Sequence, residues 1–290
     1  MKLPLSGIIR TCALLSFVAP MMGLFGTGPL FAQDEASLEA AQAEESQSQA
    51  DLAKQIQNPL ASVVTLPFQA NHNQNVGEFD RTITNINFQP VIPFPGEKWN
   101  LVSRSIIPYV SVPVGETSAE TGLGDLTTTL FASPAKPGAV IWGVGPVLQL
   151  PTSSNPELLG TDKLSIGPAA VIFAGLGNWT LGAVTWQLWS IAGEDSREPV
   201  SAMTAQWFIN YNLGKGWALG TAPIITCNWR ADSGEQCTVP WGAQLSKVLM
   251  FGSRPVNLLA GYYHNSEHPE GGADSQVRLQ INLIYPQAPK

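Results

Sequence analysis

Residues 275–285, S-Q-V-R-L-Q-I-N-L-I-Y, decide the fold of this 290-residue sequence. Apolar side chains stand at every second position from Val277 to Tyr285 and polar ones between them, until Ile284 breaks the rule. Side chains alternate between the two faces of a strand, so the segment predicts a β-strand with one apolar and one strongly polar face. A soluble sandwich would bury the apolar face in its core. A transmembrane barrel would turn that face to lipid and the polar face to a wet lumen.

The place of this strand in the chain favours the barrel. Its apolar face ends in Tyr285 near the C-terminus, and this resembles the last strand of bacterial outer-membrane barrels, which serves as their insertion signal. The tail, residues 286–290, departs from that pattern. In lipid, a lone strand would leave backbone groups unpaired, so the segment requires a closed ring of similar strands. The partners we expect are outer-membrane lipid and, during insertion, the barrel-assembly machinery.

Composition excludes several classes of protein. Charged residues are 13% of the chain and hydrophobic residues 44%, yet the mean hydropathy is only +0.06. A helical membrane protein would be more apolar and would show runs of about 20 apolar residues. The net charge of -7 argues against nucleic-acid binding, which requires a basic stripe. The sequence shows no phosphate loop, dinucleotide fingerprint or metal-ligand cluster, so we expect no cofactor, no metal and no enzyme.

The N-terminus, residues 1–32, has the pattern of a signal peptide. Lys2 and Arg10 supply positive charge, an apolar stretch follows, and Ala32 ends a plausible cleavage site. An uncleaved membrane anchor is the alternative.

Residues 33–58 form a segment of different composition. Six acidic side chains stand there against one lysine, Lys54, and the apolar positions are sparse. We expect a partly helical or disordered segment that is exposed to the periplasm. The alternative is a plug inside the barrel or a short coiled coil.

The sequence pattern from residue 59 to residue 290 is that of β-strands joined by turns. The pattern predicts about twelve strands, in which long and short connections alternate and Gly, Pro, Asn and Asp mark the breaks. Bacterial barrels have even strand numbers, short periplasmic turns and longer external loops. We therefore predict a closed antiparallel transmembrane barrel in the outer membrane of a Gram-negative bacterium, with both termini periplasmic. The predicted strands are residues 60–69, 81–94, 99–114, 124–133, 139–150, 163–174, 179–192, 201–213, 217–229, 237–249, 256–264 and 275–285.

Four tryptophans lie at or near the start of strands that follow short turns, and tryptophan prefers the interface between membrane and water. We expect them to lie at one depth, although core tryptophans of a sandwich are the alternative. They are Trp99, Trp142, Trp179 and Trp217.

The other face of the strands predicts a polar, mostly uncharged lumen. An arginine at the lipid midplane costs roughly 2–4 kcal/mol, so Arg104 should point inward. These side chains either contact a solute or pair with one another in a packed interior. The candidates are Asn85, Asn87, Gln89, Arg104, Gln187, Gln206, Asn210, Arg278, Gln280 and Asn282.

Two further pairs of residues suggest chemistry. Cys227 and Cys237 bracket one external loop, and exported proteins meet an oxidising compartment, so we expect a disulfide; two free thiols are the alternative.

His264 and Ser266 would share a strand face, as a His and a Ser do on the outer wall of outer-membrane phospholipases. The sequence identifies no third residue to orient the histidine, and a strand end that enters a loop is the alternative.

Several short runs of the sequence form a recognisable set. They include N-P-L-A-S at 58–62, N-F-Q-P-V-I-P at 87–93, G-L-G-D at 122–125, S-P-A-K-P-G at 133–138 and I-W-G-V-G-P at 141–146. These runs resemble a large family of outer-membrane barrels grouped under the meta-pathway of phenol degradation, whose members are also labelled transporter or neuromedin U. The likeness extends from about Lys54 to Pro286. It implies an outer-membrane location and the passage of small, including aromatic, compounds, and it supplies no binding residues.

The sequence thus predicts an outer-membrane channel or transporter for small, hydrophobic or aromatic molecules. A non-conducting structural or scaffold barrel is the alternative, and a lipid hydrolase on the outer wall is a more remote one.

Overall fold

The computed structural model describes residues 57–60, 63–252 and 254–286. Over these ranges the chain is an antiparallel β-barrel, and the first and last strands close it. Their pairing runs from Val63 opposite Pro286 to Gln74 opposite Ser275. The expected signal peptide and almost all of the acidic segment fall on residues 1–56, outside the described residues. No helix in the described part of the chain has the length and apolar content to cross a membrane.

The strands are β1 (Val63–Val76), β2 (Arg81–Phe88), β3 (Val91–Phe94), β4 (Trp99–Val114), β5 (Ser118–Leu123), β6 (Leu126–Pro134), β7 (Val140–Leu150), β8 (Lys163–Leu176), β9 (Trp179–Gly193), β10 (Ser201–Gly214), β11 (Trp217–Thr221), β12 (Ile224–Asn228), β13 (Cys237–Phe251), β14 (Arg254–Glu267) and β15 (Ser275–Pro286).

Three barrel strands are each broken into two segments, so the fifteen segments form twelve strands. β2 and β3 share the neighbours β1 and β4, and β11 and β12 share the neighbours β10 and β13. β5 and β6 both pair with β4. Pro90 and Pro223 stand at two of the breaks, where a residue without an N–H interrupts the ladder. The predicted fold, a closed antiparallel barrel of twelve strands, is confirmed.

The connections differ from the prediction near the start of the barrel. The loops expected over residues 70–80 and 115–123 are mostly strand, because β1 continues to Val76 and β5 begins at Ser118. Only the turns 77–80 and 115–117 remain. The alternation of long and short connections therefore begins further along the chain than the sequence suggested. These strand ends are polar on both faces, as at His72 and Asn73, and that pattern is typical of loops in sequence.

Both ends of the described barrel lie at one rim, together with the short turns at 95–98, 135–139, 177–178 and 215–216 and with Gly252. We call this rim the turn end and the opposite rim the loop end. One turn shows the local chemistry: Gly214, Lys215 and Gly216 have φ of 88°, 49° and 76°. Glycine adopts this left-handed region without steric cost, which is why two glycines flank the lysine here.

The outer surface is a band of exposed apolar side chains. Phe68, Ile86, Leu279 and Ile281 are examples, each between 44% and 50% exposed. A soluble protein would not expose a contiguous surface of this kind, whereas the lipid-facing wall of a barrel requires one.

Aromatic side chains mark both edges of this band. The four predicted tryptophans face outward at the turn end, where Trp99 lies edge-on to Trp142 with ring centroids 6.0 Å apart. Exposed aromatic residues nearer the loop end form a second group that the sequence analysis missed. Trp179 and Trp189 face the same way on β9, ten residues apart. That spacing is about 33 Å of strand and about 25 Å of height at a tilt of about 40°, which matches a lipid-spanning band. The second group is Trp189, Trp229, Trp241 and Tyr262.

Candidate functional site in the barrel lumen

The interior of the barrel has two chemically distinct sides. We call the inward-facing side of β4 to β9 the apolar wall and that of β10 to β15, β1 and β2 the polar wall. The apolar wall holds a packed cluster that fills this side of the lumen. Its buried members are Leu60, Val102, Phe131, Val147, Ala169, Val171, Val184, Trp186 and Leu188.

The chain that leads into β1 lies inside the barrel at the turn end. Leu60 packs into the apolar cluster, and a Cβ added to Gly143 would lie 3.2 Å from its Cδ1 atom. Gln57 donates a hydrogen bond to Asn212 Oδ1 at 3.0 Å and accepts one from the Thr180 hydroxyl. Residues 57–60 therefore belong to the lumen. Gln57 lies near the end of the segment 33–58 that we expect to be exposed to the periplasm, and its carboxamide has partners on β9 and β10; for residues 33–56, which lie outside the described residues, the expectation stays a prediction.

At the loop end, the connection 151–162 covers the apolar wall. Asp125, at the break between β5 and β6, anchors it: one carboxylate oxygen accepts from Thr161 N at 2.7 Å and Thr161 Oγ1 at 2.8 Å, and the other from Ser153 N at 3.2 Å. Leu159 is buried against Gly122, where a Cβ would lie 3.1 Å from its Cδ1 atom. The apolar wall is thus closed at both rims.

The polar wall is lined by carboxamide side chains, which are uncharged and can both donate and accept hydrogen bonds. Successive strands contribute them at alternate positions, so they form a continuous hydrogen-bonding surface along the lumen. They are Gln69, Asn71, Asn73, Asn85, Asn87, Gln89, Gln206, Asn210, Gln244, Asn257, Asn265, Gln276, Gln280 and Asn282.

Two cavities lie one after the other along this wall. The cavity nearer the loop end has a volume of about 440 Å³ and reaches from Gly272 to Gln89. The cavity nearer the turn end has a volume of about 190 Å³ and reaches to Gln57 and Asn282. Gln69 and Gln89 line both, so the junction of the two cavities lies at these side chains.

Arg278 is the central side chain of the polar wall and is only 2% exposed. Its Nη1 donates to Ala222 O at 2.7 Å, its Nε to Asn71 Oδ1 at 3.2 Å and its Nη2 to Gln276 Oε1 at 2.9 Å. The guanidinium carbon lies 4.6 Å from the ring centroid of Tyr263. Arg278 therefore reaches from β15 past β14 and β13 to the break between β11 and β12.

Tyr263 completes this network. Its hydroxyl donates to Gln244 Oε1 at 2.8 Å and accepts from Ala222 N at 3.1 Å. The break at residues 222–223 exposes backbone groups to the interior, and Tyr263 and Arg278 satisfy the N–H and the carbonyl of Ala222. Buried backbone groups without partners are costly, so these two side chains stabilise the interruption.

Arg104 enters the lumen from the opposite wall. Its Nη2 donates to Gln89 Oε1 at 2.9 Å, and its guanidinium carbon lies 5.5 Å from the ring centroid of Trp186. Arg104 thus lies where the two walls meet, beside the junction of the cavities.

The structure brings most of the predicted lumen residues together. Asn85, Asn87 and Gln89 line the larger cavity. The smaller cavity is lined by Gln89, Gln206, Asn210, Arg278, Gln280 and Asn282. A role for these side chains in solute contact stays a prediction.

Gln187 corrects the prediction on β9, because it faces outward with Trp189 and Thr185 and accepts from Trp229 Nε1 at 2.9 Å. The assignment of the two faces of β9 was inverted. Val184, Trp186 and Leu188 point into the apolar wall, so the interior is polar on one side only. A strand whose inward face packs an apolar core reads from sequence like one whose outward face meets lipid.

Several lumen residues were missed. Gln69, Asn71 and Asn73 share one face of β1, but the predicted strand ended at residue 69, so their alternation was not followed. Gln244 alternates with Leu245 on β13. This alternation indicates that Gln244 faces the lumen, but Gln244 was not among the predicted lumen residues. No sequence pattern indicates that Tyr263 faces the lumen, because periodicity does not distinguish the inward from the outward tyrosine of a Tyr–Tyr pair.

Cys227 and Cys237 form a disulfide between β12 and β13, as predicted, with Cα atoms 4.1 Å apart. The neighbouring Thr226 and Thr238 line the larger cavity, so the disulfide lies on the outer face of the same hairpin.

His264 and Ser266 do share the outer face of β14, but their contacts are not those of a nucleophile and its base. Ser266 Oγ donates to Val239 O at 2.9 Å, and the ring of His264 lies edge-on to Trp241 at 5.9 Å. A serine nucleophile donates its hydroxyl proton to the base. Across the described ranges, no group of three or more His, Cys, Asp or Glu side chains is placed to hold a metal ion.

No known protein-family model matches this sequence, and no curated protein does either. The fold is similar to that of the COG4313 outer membrane channel from Pseudomonas putida F1, with a TM-score of 0.56 and 16% identity over 77% of this chain and 96% of that one. At this identity the likeness shows the fold alone, and a fold does not establish a function.

Two other solved barrels are less similar to this protein. The NanC porin matches with a TM-score of 0.47 and 7% identity over 77% of this chain and 98% of its own. Outer membrane phospholipase A from Escherichia coli matches with a TM-score of 0.44 and 14% identity over 77% and 90%. These two likenesses are too weak to bear on function.

Proposed function

We propose that this protein is an outer-membrane channel through which small water-soluble molecules pass along the polar wall. The observation that carries the proposal is the pair of consecutive cavities, lined by carboxamides, inside a closed barrel whose outer surface is apolar. Carboxamides replace the hydrogen bonds that a solute loses when it leaves water, without holding it as strongly as a charge would.

We place the barrel in the outer membrane, with the turn end toward the periplasm. Short periplasmic turns and an even strand number support this orientation, and the N-terminal export pattern supports the compartment. The lipid of that membrane is then the partner of the apolar band, and the aromatic C-terminal strand is the segment that the barrel-assembly machinery would recognise.

Aromatic solutes are the finer form of the proposal. The resemblance to barrels of the meta-pathway of phenol degradation suggests them. Phe208 lines the smaller cavity and Trp186 the larger one, so each cavity offers one aromatic surface. We expect an aromatic solute to stack there while its polar substituent contacts the carboxamides.

The test is a substitution at the junction of the cavities. Gln69→Trp should lower the single-channel conductance in planar bilayers at least about fivefold, because the indole fills the junction of the two cavities. Phe68→Trp is the matched control: Phe68 is the adjacent residue on β1 but faces lipid, so the conductance should not change. A wild-type protein that carries no current, or equal effects of the two substitutions, would contradict the proposal.

A non-conducting barrel is the second candidate, and the position of residues 57–60 favours it. Gln57 lines the smaller cavity, so the chain that precedes β1 narrows the turn end. Deletion of residues 34–57 should raise the conductance if this segment closes the lumen, and should leave it unchanged if the path along the polar wall is already open.

A further inference from the structure

We propose that the lumen selects small anions, and that Arg278 and Arg104 are the side chains that select them. The inference rests on the proposed channel function and adds a charge preference to it: chloride, inorganic phosphate and small carboxylates pass more readily than cations.

The charges that border the path are of one sign. Among the described residues that line the two cavities there is no Asp or Glu, and the charged side chain in those linings is Arg278. Arg104 lies against Gln89 and Trp186, which line the larger cavity. One guanidinium therefore borders the smaller cavity and a second lies behind Gln89 and Trp186, while no described residue of the two linings carries a carboxylate. The field of these two charges in the lumen attracts anions and repels cations.

The partners of both arginines are neutral. Arg278 donates to a backbone carbonyl and two carboxamide oxygens, and Arg104 donates to one carboxamide oxygen. These contacts satisfy N–H groups but do not cancel charge. A buried charge that is hydrogen-bonded but not paired with an opposite charge remains unfavourable, and an anion in the adjacent cavity lowers that energy.

Unused donors remain on both guanidinium groups. A guanidinium has five N–H groups. The contacts above engage three of them on Arg278 and one on Arg104, so two and four remain. Carboxylates and phosphate accept pairs of such N–H groups in a planar, bidentate arrangement, which gives an oxyanion an advantage over chloride.

The segment before the barrel contains carboxylates that would compete with a diffusing anion for the two arginines. Six acidic side chains precede Gln57, whose own side chain lies in the lumen. If that segment supplied the counter-charge, the path would be neutral in the intact protein. The experiment must therefore include its deletion.

The experiment measures the reversal potential of the full-length mature barrel in planar bilayers under a KCl gradient. We expect the wild type to prefer chloride to potassium about fivefold, and the preference to fall about twofold in Arg278→Gln and in Arg104→Gln and to vanish in the double variant. Arg278→Lys keeps the charge without the full hydrogen-bond network, so it should retain most of the preference. Arg254→Gln, which removes an exposed arginine at the start of β14, is the matched control and should change nothing.

Three results would overturn the inference. They are a wild type that prefers potassium or neither ion, a double variant that keeps the wild-type ratio, and anion preference that emerges only after residues 34–56 are deleted. The last would assign the neutralising charge to the chain itself. In all three the barrel conducts, so the proposed channel function would stand.

A barrel that carries no current would contradict the channel function, and a second measurement then decides the inference by itself. Purified barrel in nonionic detergent is heated with increasing sodium phosphate at constant ionic strength, which is held with sodium chloride. A saturable rise of the unfolding temperature in the wild type that is absent from the Arg104→Gln/Arg278→Gln variant supports an oxyanion site. Identical curves for the two proteins would overturn it.

Discussion

The two walls of the lumen are made by the same backbone and differ in almost every other respect. On the apolar wall, Val102, Phe131 and Val147 are at most 1% exposed, and residues 57–60 and the connection 151–162 cover that side at its two rims. On the polar wall, carboxamides border two consecutive cavities. The comparison teaches that a closed barrel need not enclose a uniform pore. One side can be a packed core that fixes the shape, while the other borders open cavities.

Substitutions in the two walls should have very different costs. Phe131→Ala opens a cavity in the packed cluster and should lower the free energy of unfolding by about 3–5 kcal/mol. Asn87 borders a cavity already, so Asn87→Ala should cost less than about 1 kcal/mol. Denaturant titration of both variants in lipid vesicles measures the difference. Losses of similar size would show that the walls are packed alike.

Substitutions at adjacent residues of β15 distinguish the lipid-facing side of the polar wall from its lumen-facing side. Ile281 faces lipid and is 50% exposed, so Ile281→Arg should cost about 2–4 kcal/mol of folding free energy. Gln280 lines the smaller cavity, and Gln280→Arg should cost less than Ile281→Arg, because carboxamides of the polar wall can accept hydrogen bonds from the guanidinium although Arg278 repels its charge. The same titrations check both values, and the reverse ranking would invert the assigned faces.

The disulfide lies behind the polar wall and should affect stability without affecting passage. Cys227 and Cys237 are 10 residues apart, and loss of the bond in Cys227→Ser/Cys237→Ser should lower stability by about 2–3 kcal/mol through loop closure. Conductance should be unchanged, because the sulfur atoms face outward. Reduction of the wild type should reproduce the loss of stability. A large change in conductance would place this hairpin in the path.

The sequence predicted the barrel because lipid and water impose opposite requirements on the two faces of each strand. The clear alternation at Val277 to Tyr285, and at Thr204 to Tyr211, has this origin. The inward orientation of Arg104 also followed, because lipid excludes an arginine. The twelve strands could be counted because nearly every break carries turn-forming residues.

The division of the lumen could not be predicted in the same way. Trp186 in a packed interior and Trp189 in lipid both read as apolar, so the faces of β9 were exchanged and Gln187 was placed inside. Arg278 was assigned to the lumen, but its reach to Ala222 depends on a strand break three strands away. Relations of this kind arise from barrel closure and leave no local pattern.

The most direct test of the divided lumen is chemical access from water. Single cysteines replace Asn87 and Thr204 on the polar wall and Val147 and Val171 on the apolar wall, and a water-soluble methanethiosulfonate reagent is applied to the barrel in membranes. We predict rapid labelling with loss of current at Asn87 and Thr204, and labelling slower by on the order of 100-fold at the two valine positions, because reagent reaches them only when the packing opens. Equal labelling of all four positions would contradict the account.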